Sequence, residues 1–333
     1  MGSCTSSPVH VQIPLDFNYF AIQMSENDRL RLISPPLNVI STTRLLIEQN
    51  WGKILDYRES TGFVEYQLDR NPWKISDNND IEAKIFICML VRKYYEIGWH
   101  LKISTDSKYY SSSASDVVIF ERKAPLSTSV ICISLNGSDK LRVFSNEDVL
   151  PSIKASILKF WPYGIEQEQS MSRYYEFKLN GDPWNSTLNN DIDSYFSSAL
   201  INGILSALYH IGYVLSAAVD SGKEEYDVSS MYFRYDLEHT KLPQNLTRQF
   251  FAISLNKNNS LRLISVLPEL IETIKKAMPH IWPNGIHSYK EGSGTLEIRL
   301  NGSPWKSKTG MESIETRQLI GNNFHDEVAV FYK

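Results

Sequence analysis

Gly2 and Cys4 stand close enough together to take covalent lipid, and Ser6 completes the pattern around them. The opening Met-Gly-Ser-Cys-Thr-Ser fits the pattern in which myristate is joined to the amine of Gly2 once Met1 is removed. Only glycine presents an amine without a neighbouring Cβ. One myristoyl chain holds a protein at a bilayer only marginally, so a second signal is needed. Residues 1–28 contain no Lys or Arg, so a basic patch is unavailable there. Cys4 lies beside the acylated glycine and suits S-palmitoylation. The pattern therefore predicts an arm, residues 1–16, acylated at Gly2 and Cys4. The competing reading is an unmodified Ser/Thr-rich arm.

A second set of residues recurs along the chain. Arg31, Arg142 and Arg262 each sit between two apolar residues of a predicted strand. Strand alternation points each arginine away from the side its neighbours face. Two chemistries follow. Each arginine pairs with a carboxylate across the strand, or the three form a basic row for phosphate, lipid headgroup or acidic peptide, because the guanidinium fork is bidentate. Asp106 and Asp220 follow Gly98 and Gly212 at the same distance, and are read as turn formers or as partners of these arginines.

Other chemistry is scarce. There is no P-loop, dinucleotide fingerprint, HExxH, EF-hand loop or GxSxG elbow. No histidine stands at metal-ligand spacing; the closest pair, His280 and His287, flanks a helix stop. Cys88 falls in an apolar helix and Cys132 in a strand, which suits buried thiols rather than nucleophiles. No cofactor, metal or enzymatic activity is expected. A net charge of -4 supplies no electrostatic footprint for nucleic acid. Three cysteines without a CxxC pair fit a reducing compartment. No apolar run reaches the ~18–20 residues that span a bilayer. The first residues lack the basic and apolar regions of a secretory signal.

These residues are positioned by a unit that occurs three times. FAIQMSENDRLRLIS (20–34), ICISLNGSDKLRVFS (131–145) and FAISLNKNNSLRLIS (251–265) align. Trp51, Trp161 and Trp282 keep step with them, as do the pairs Pro72-Trp73, Pro183-Trp184 and Pro304-Trp305. The period exceeds that of a solenoid repeat, so each copy should own a core. Asn136-Gly137 between alternating runs predicts a hairpin. A helix follows, with Ile153, Ile157 and Leu158 in the second copy and Ile271, Ile274 and Met278 in the third as its apolar positions. It stops at Trp-Pro-x-Gly. A long strand, the Pro-Trp turn with a buried Trp, and a very apolar helix ending at Gly98 or Gly212 come next. Two more strands close the unit.

The expected class is α+β: three tandem ββαβαββ units, each a mostly antiparallel sheet with two helices on one face. The predicted domains are 17–123, 129–236 and a shortened 249–333, which either packs on the second or exposes a sheet face that needs a partner. The expectation for function is a non-enzymatic, lipid-anchored adaptor or scaffold on the cytoplasmic face of a membrane, with an unidentified protein partner. The alternative is a soluble module that binds lipid headgroups or phosphorylated ligands through the Arg row.

Overall fold

The computed structural model describes residues 18–73, 77–105, 114–144, 147–184, 191–219, 230–238, 240, 250–292, 294–306, 310–323 and 331–332. Gly2, Cys4, Asp106 and Asp220 lie outside them. The first copy runs β1 (Tyr19–Ser25), β2 (Arg29–Ile33), α1 (Leu37–Leu46), β3 (Ile54–Ser60), β4 (Phe63–Leu68), α2 (Asp77–Glu96), β5 (Trp99–Thr105) and β6 (Ala114–Arg122). The second runs β7 (Val130–Asn136), β8 (Lys140–Phe144), α3 (Leu150–Phe160), β9 (Ile165–Ser170), β10 (Tyr174–Leu179), α4 (Asp191–His210), β11 (Tyr213–Val219) and β12 (Ser230–Tyr235). The third runs β13 (Ala252–Asn256), β14 (Ser260–Ile264), α5 (Pro268–Ile281), β15 (Ile286–Gly292), β16 (Thr295–Leu300), α6 (Met311–Asn323) and β17 (Phe331–Tyr332).

The α+β class and the three copies, the last one shorter, stand. The unit is ββαββαββ, one strand more than ββαβαββ. The added strands β3, β9 and β15 are mostly exposed and polar, as in IEQEQS of β9. They carry no apolar alternation because each is a sheet edge. The first sheet has the order β3-β4-β2-β1-β6-β5, and the second repeats it as β9-β10-β8-β7-β12-β11. The third is β15-β16-β14-β13-β17.

β17 pairs with β13 in parallel, whereas β6 pairs with β1 antiparallel. Topology explains the reversal. β5 and β6 are antiparallel neighbours, and among the described residues the third copy has one strand where the first has those two. A single strand after the helix runs in the direction of β5, so it lies parallel to the strand it joins.

Local chemistry fixes the joints. In the β1–β2, β7–β8 and β13–β14 turns, Glu26, Gly137 and Lys257 occupy one position and all take φ near +55°, at 53°, 56° and 55°. The helix-stop tryptophans are plugs whose indole N–H groups donate to equivalent carbonyls: Trp51 to Asp69 (2.8 Å), Trp161 to Asn180 (2.9 Å) and Trp282 to Asn301 (3.0 Å). The Pro-Trp tryptophans donate to Arg29, Lys140 and Ser260 at 2.8, 3.0 and 3.1 Å. Each indole thus satisfies its one donor.

By contacts the chain divides into two compact units, Met1–Cys132 with Ser216–Phe233, and Ile133–Leu215 with Arg234–Lys333. In the first, Phe20, Ile22, Leu30, Leu32, Val64 and Tyr66 form the inner sheet face. Full burial of such a side chain contributes ~1.5–3 kcal/mol. Phe20 stacks on Phe120 at 4.8 Å and meets Tyr94 of α2 edge-on at 5.2 Å. The Tyr66 hydroxyl donates to the Ile40 carbonyl of α1. In the second unit Ile153 and Ile157 are fully buried, but Leu158 is exposed. It lies one residue beyond the i, i+4 face that its neighbours define.

Candidate functional site

The outer face of each sheet, turned away from its own helices, carries the recurring arginines. Each meets a glutamate of its own copy. Arg31 donates to Glu65 at 2.6 Å, Arg142 to Glu176 at 2.7 Å and Arg262 to Glu297 at 3.2 Å. The partners are directly opposite in register on β2·β4, β8·β10 and β14·β16. Glu65 also accepts from Arg29 at 3.2 Å. The forks are therefore engaged inside each sheet, as the carboxylate reading requires. They are not presented as an exposed row: the side chains of Arg142 and Arg262 are 5% and 8% exposed, and Arg31 is 37% exposed. The glutamates had a signal too, since each stands mid-strand between apolar residues, in VEY, YEF and LEI.

Inside each unit, the second helix of one copy also meets strands of the next copy. Within the first unit, the far side of α2 meets strands of the second copy. Tyr95 hydrogen-bonds Ser216 of β11 at 3.2 Å. The Cys88 thiol of α2 contacts Cys132 of β7, and that contact together with burial pushes its pKa well above the ordinary value. The Cys88 thiol therefore stays protonated, and both cysteines are buried. The same arrangement recurs in the second unit. Ala199 of α4 packs on Ala252 and Ile264 of the third sheet, flanked by Tyr195 and Phe160. Asn202 donates to the Phe250 carbonyl at 3.0 Å, and Tyr209 meets the Phe250 ring edge-on at 4.9 Å. The second helix thus packs on its own sheet with one side and on strands of the next copy with the other. This explains why α2 and α4 are apolar nearly all round.

On the first sheet the corresponding positions are partly open. Ile103, Ile119, Ala21, Ile33 and Phe63 are successive cross-strand neighbours over β5, β6, β1, β2 and β4. Ile103 is 53% exposed, and the other four are half-buried. Beside this face lies a groove of about 790 Å³ whose lining includes Pro36, Leu37, Phe63, Trp99, Arg122 and Lys123.

Among the described residues no three His, Cys, Asp or Glu side chains converge as a metal site, and no helix is long and apolar enough to cross a membrane. His280 closes α5, and His287 lies on the exposed edge strand β15.

One family model, a domain model, matches the chain three times, over residues 18–121, 129–234 and 249–325. No curated protein and no solved structure matches. The chain belongs to the family of that domain, which it carries in three tandem copies, the third shorter than the others.

Proposed function

We propose that the protein is a non-enzymatic, lipid-anchored adaptor that carries three related domains to the cytoplasmic face of a membrane. The opening Gly2-Ser3-Cys4-Thr5-Ser6, with no Lys or Arg before Arg29, carries the reading. An acylated Gly2 needs a second signal there, and Cys4 is the group available to supply it. The folded copies support a binding role rather than a chemical one. Their recurring Arg–Glu pairs are engaged within each sheet, and Cys88 and Cys132 are enclosed. Tandem copies also raise avidity for a partner without new chemistry.

Metabolic labelling with clickable myristate and palmitate analogues, followed by membrane fractionation, tests the anchor. Wild type should take both labels and pellet with membranes. Gly2→Ala should lose both labels and become soluble without unfolding. Cys4→Ser should lose palmitate only. Wild type that takes neither label would overturn the anchor.

A further inference from the structure

The third sheet shows what its outer face is built to receive. Ala199 of α4 sits against Ala252 and Ile264, with Tyr195 one turn away on the same side. There Ala252 is 8% and Ile264 0% exposed. The first sheet has the same residues at those positions: Phe20-Ala21-Ile22 repeats Phe251-Ala252-Ile253, and LRLIS occurs at 30–34 and 261–265. Yet Ala21 and Ile33 are only half-buried, and they continue into the apolar row of Ile119, Ile103 and Phe63. The face suited to a helix is present without a helix on it among the described residues.

A matching helix surface also lies uncovered. The Ser197 hydroxyl of α4 donates to the Pro183 carbonyl, and the Thr316 hydroxyl of α6 donates to the Pro304 carbonyl. This shared joint aligns the two helices. Ile314 and Gln318 of α6 then stand where Tyr195 and Ala199 stand on α4. Both are exposed, Ile314 at 49%, and Met311 one turn earlier is 68% exposed.

We propose that the outer face of the first sheet docks the α6 surface of a second copy of this chain. Ile314 and Gln318 would face Ala21 and Ile33 as Tyr195 and Ala199 face Ala252 and Ile264. The contact continues between molecules an interface that the chain already makes within itself. It is heterologous, so it propagates into open chains or closes into rings rather than stopping at a symmetric pair. The inference does not rest on the lipid anchor.

Site-directed cross-linking of the full-length, unacylated chain tests it, in a Cys4→Ser background. Ala21→Cys places on β1 the residue that the second copy carries as Cys132, and Gln318→Cys adds a thiol to exposed α6. Mild oxidation of the two variants mixed should give a disulfide-linked dimer at least about tenfold faster than either alone, because docking raises the effective concentration of the two thiols. Adding Ile119→Lys to the Ala21→Cys chain should abolish that gain while leaving the circular dichroism melt cooperative. Light scattering of the Cys4→Ser chain should show a mass that rises with concentration. Equal rates in the mixture and the single variants would overturn the proposal. So would faster dimerisation of Ala21→Cys alone, which would mean sheet-to-sheet pairing.

Discussion

The Phe160 side chain of α3 packs directly against the backbone of Gly203 in the middle of α4. A methyl group built on Gly203 would sit 2.3 Å from the ring carbons. The two helices approach this closely because Gly203 has no side chain, and the Ser156 hydroxyl also donates to its carbonyl at 3.3 Å. In an open helix, Gly→Ala stabilises by about 1 kcal/mol. Here the overpacking term opposes it, at ~1–3 kcal/mol. Gly203→Ala should therefore lower the melting temperature, and a rise would show that the crossing is looser than described.

The three Arg–Glu pairs should differ in what their loss costs. Arg142 is almost fully enclosed, so Arg142→Ala leaves Glu176 charged and buried, at a cost of ~3–5 kcal/mol. Arg31 is over a third exposed, and Glu65 keeps Arg29 as a second partner. Its removal should cost about 1 kcal/mol or less. Urea denaturation of the two variants checks the order, and equal losses would contradict it.

Acid should act on the third copy through Glu297. Burial alone would raise its pKa, but the Ser260 hydroxyl and the Arg262 guanidinium together bring it below the ordinary 4.5. A carboxyl lowered on folding binds fewer protons in the folded state than in the unfolded one across that interval. Its contribution is complete above the unfolded value and is lost as pH falls through the folded one. Thermal melts should weaken below about pH 4.5 for this reason. Glu297→Gln should be less stable at neutral pH and show a shallower acid limb.

The enclosed thiols give a readout of local opening. Cys88 is held protonated by its contact with Cys132 and by burial, and the thiolate is the reactive form. Maleimide at pH 8 should leave both cysteines unmodified in the native chain and label both in denaturant. Mass spectrometry of peptic fragments distinguishes them. Rapid native labelling of Cys88 would show that α2 lifts readily from the second copy's strands.

Much of the fold is written in local patterns. The turn at Asn136-Gly137, the alternation of VICISL and the spacing of the tryptophans lead to the hairpins, helices and plugs where they occur. The polar edge strand IEQEQS could not be read this way, because an edge is specified by the strand it pairs with rather than by its own apolar period. The outward position of Arg142 was legible, but its burial was not. Alternation tells which side of a strand a residue takes, and only another element decides whether that side is wet. The double use of α2 was half-visible, since a helix apolar on every side requires two covers without naming the second.

The charged edge strands have a consequence for synthesis. Three sheets with nearly the same central hairpin emerge from one ribosome in succession, and each hairpin could pair with a neighbour's β4-type strand. Such mispairing between tandem copies is a characteristic hazard of repeat proteins. β3, β9 and β15 face outward with Arg58 and Glu59, Glu166 and Glu168, and Lys290 and Glu291. An edge dense in charge, of both signs in β3 and β15 and acidic in β9, is a poor template for a further strand. These strands therefore close one edge of each copy's sheet to further pairing.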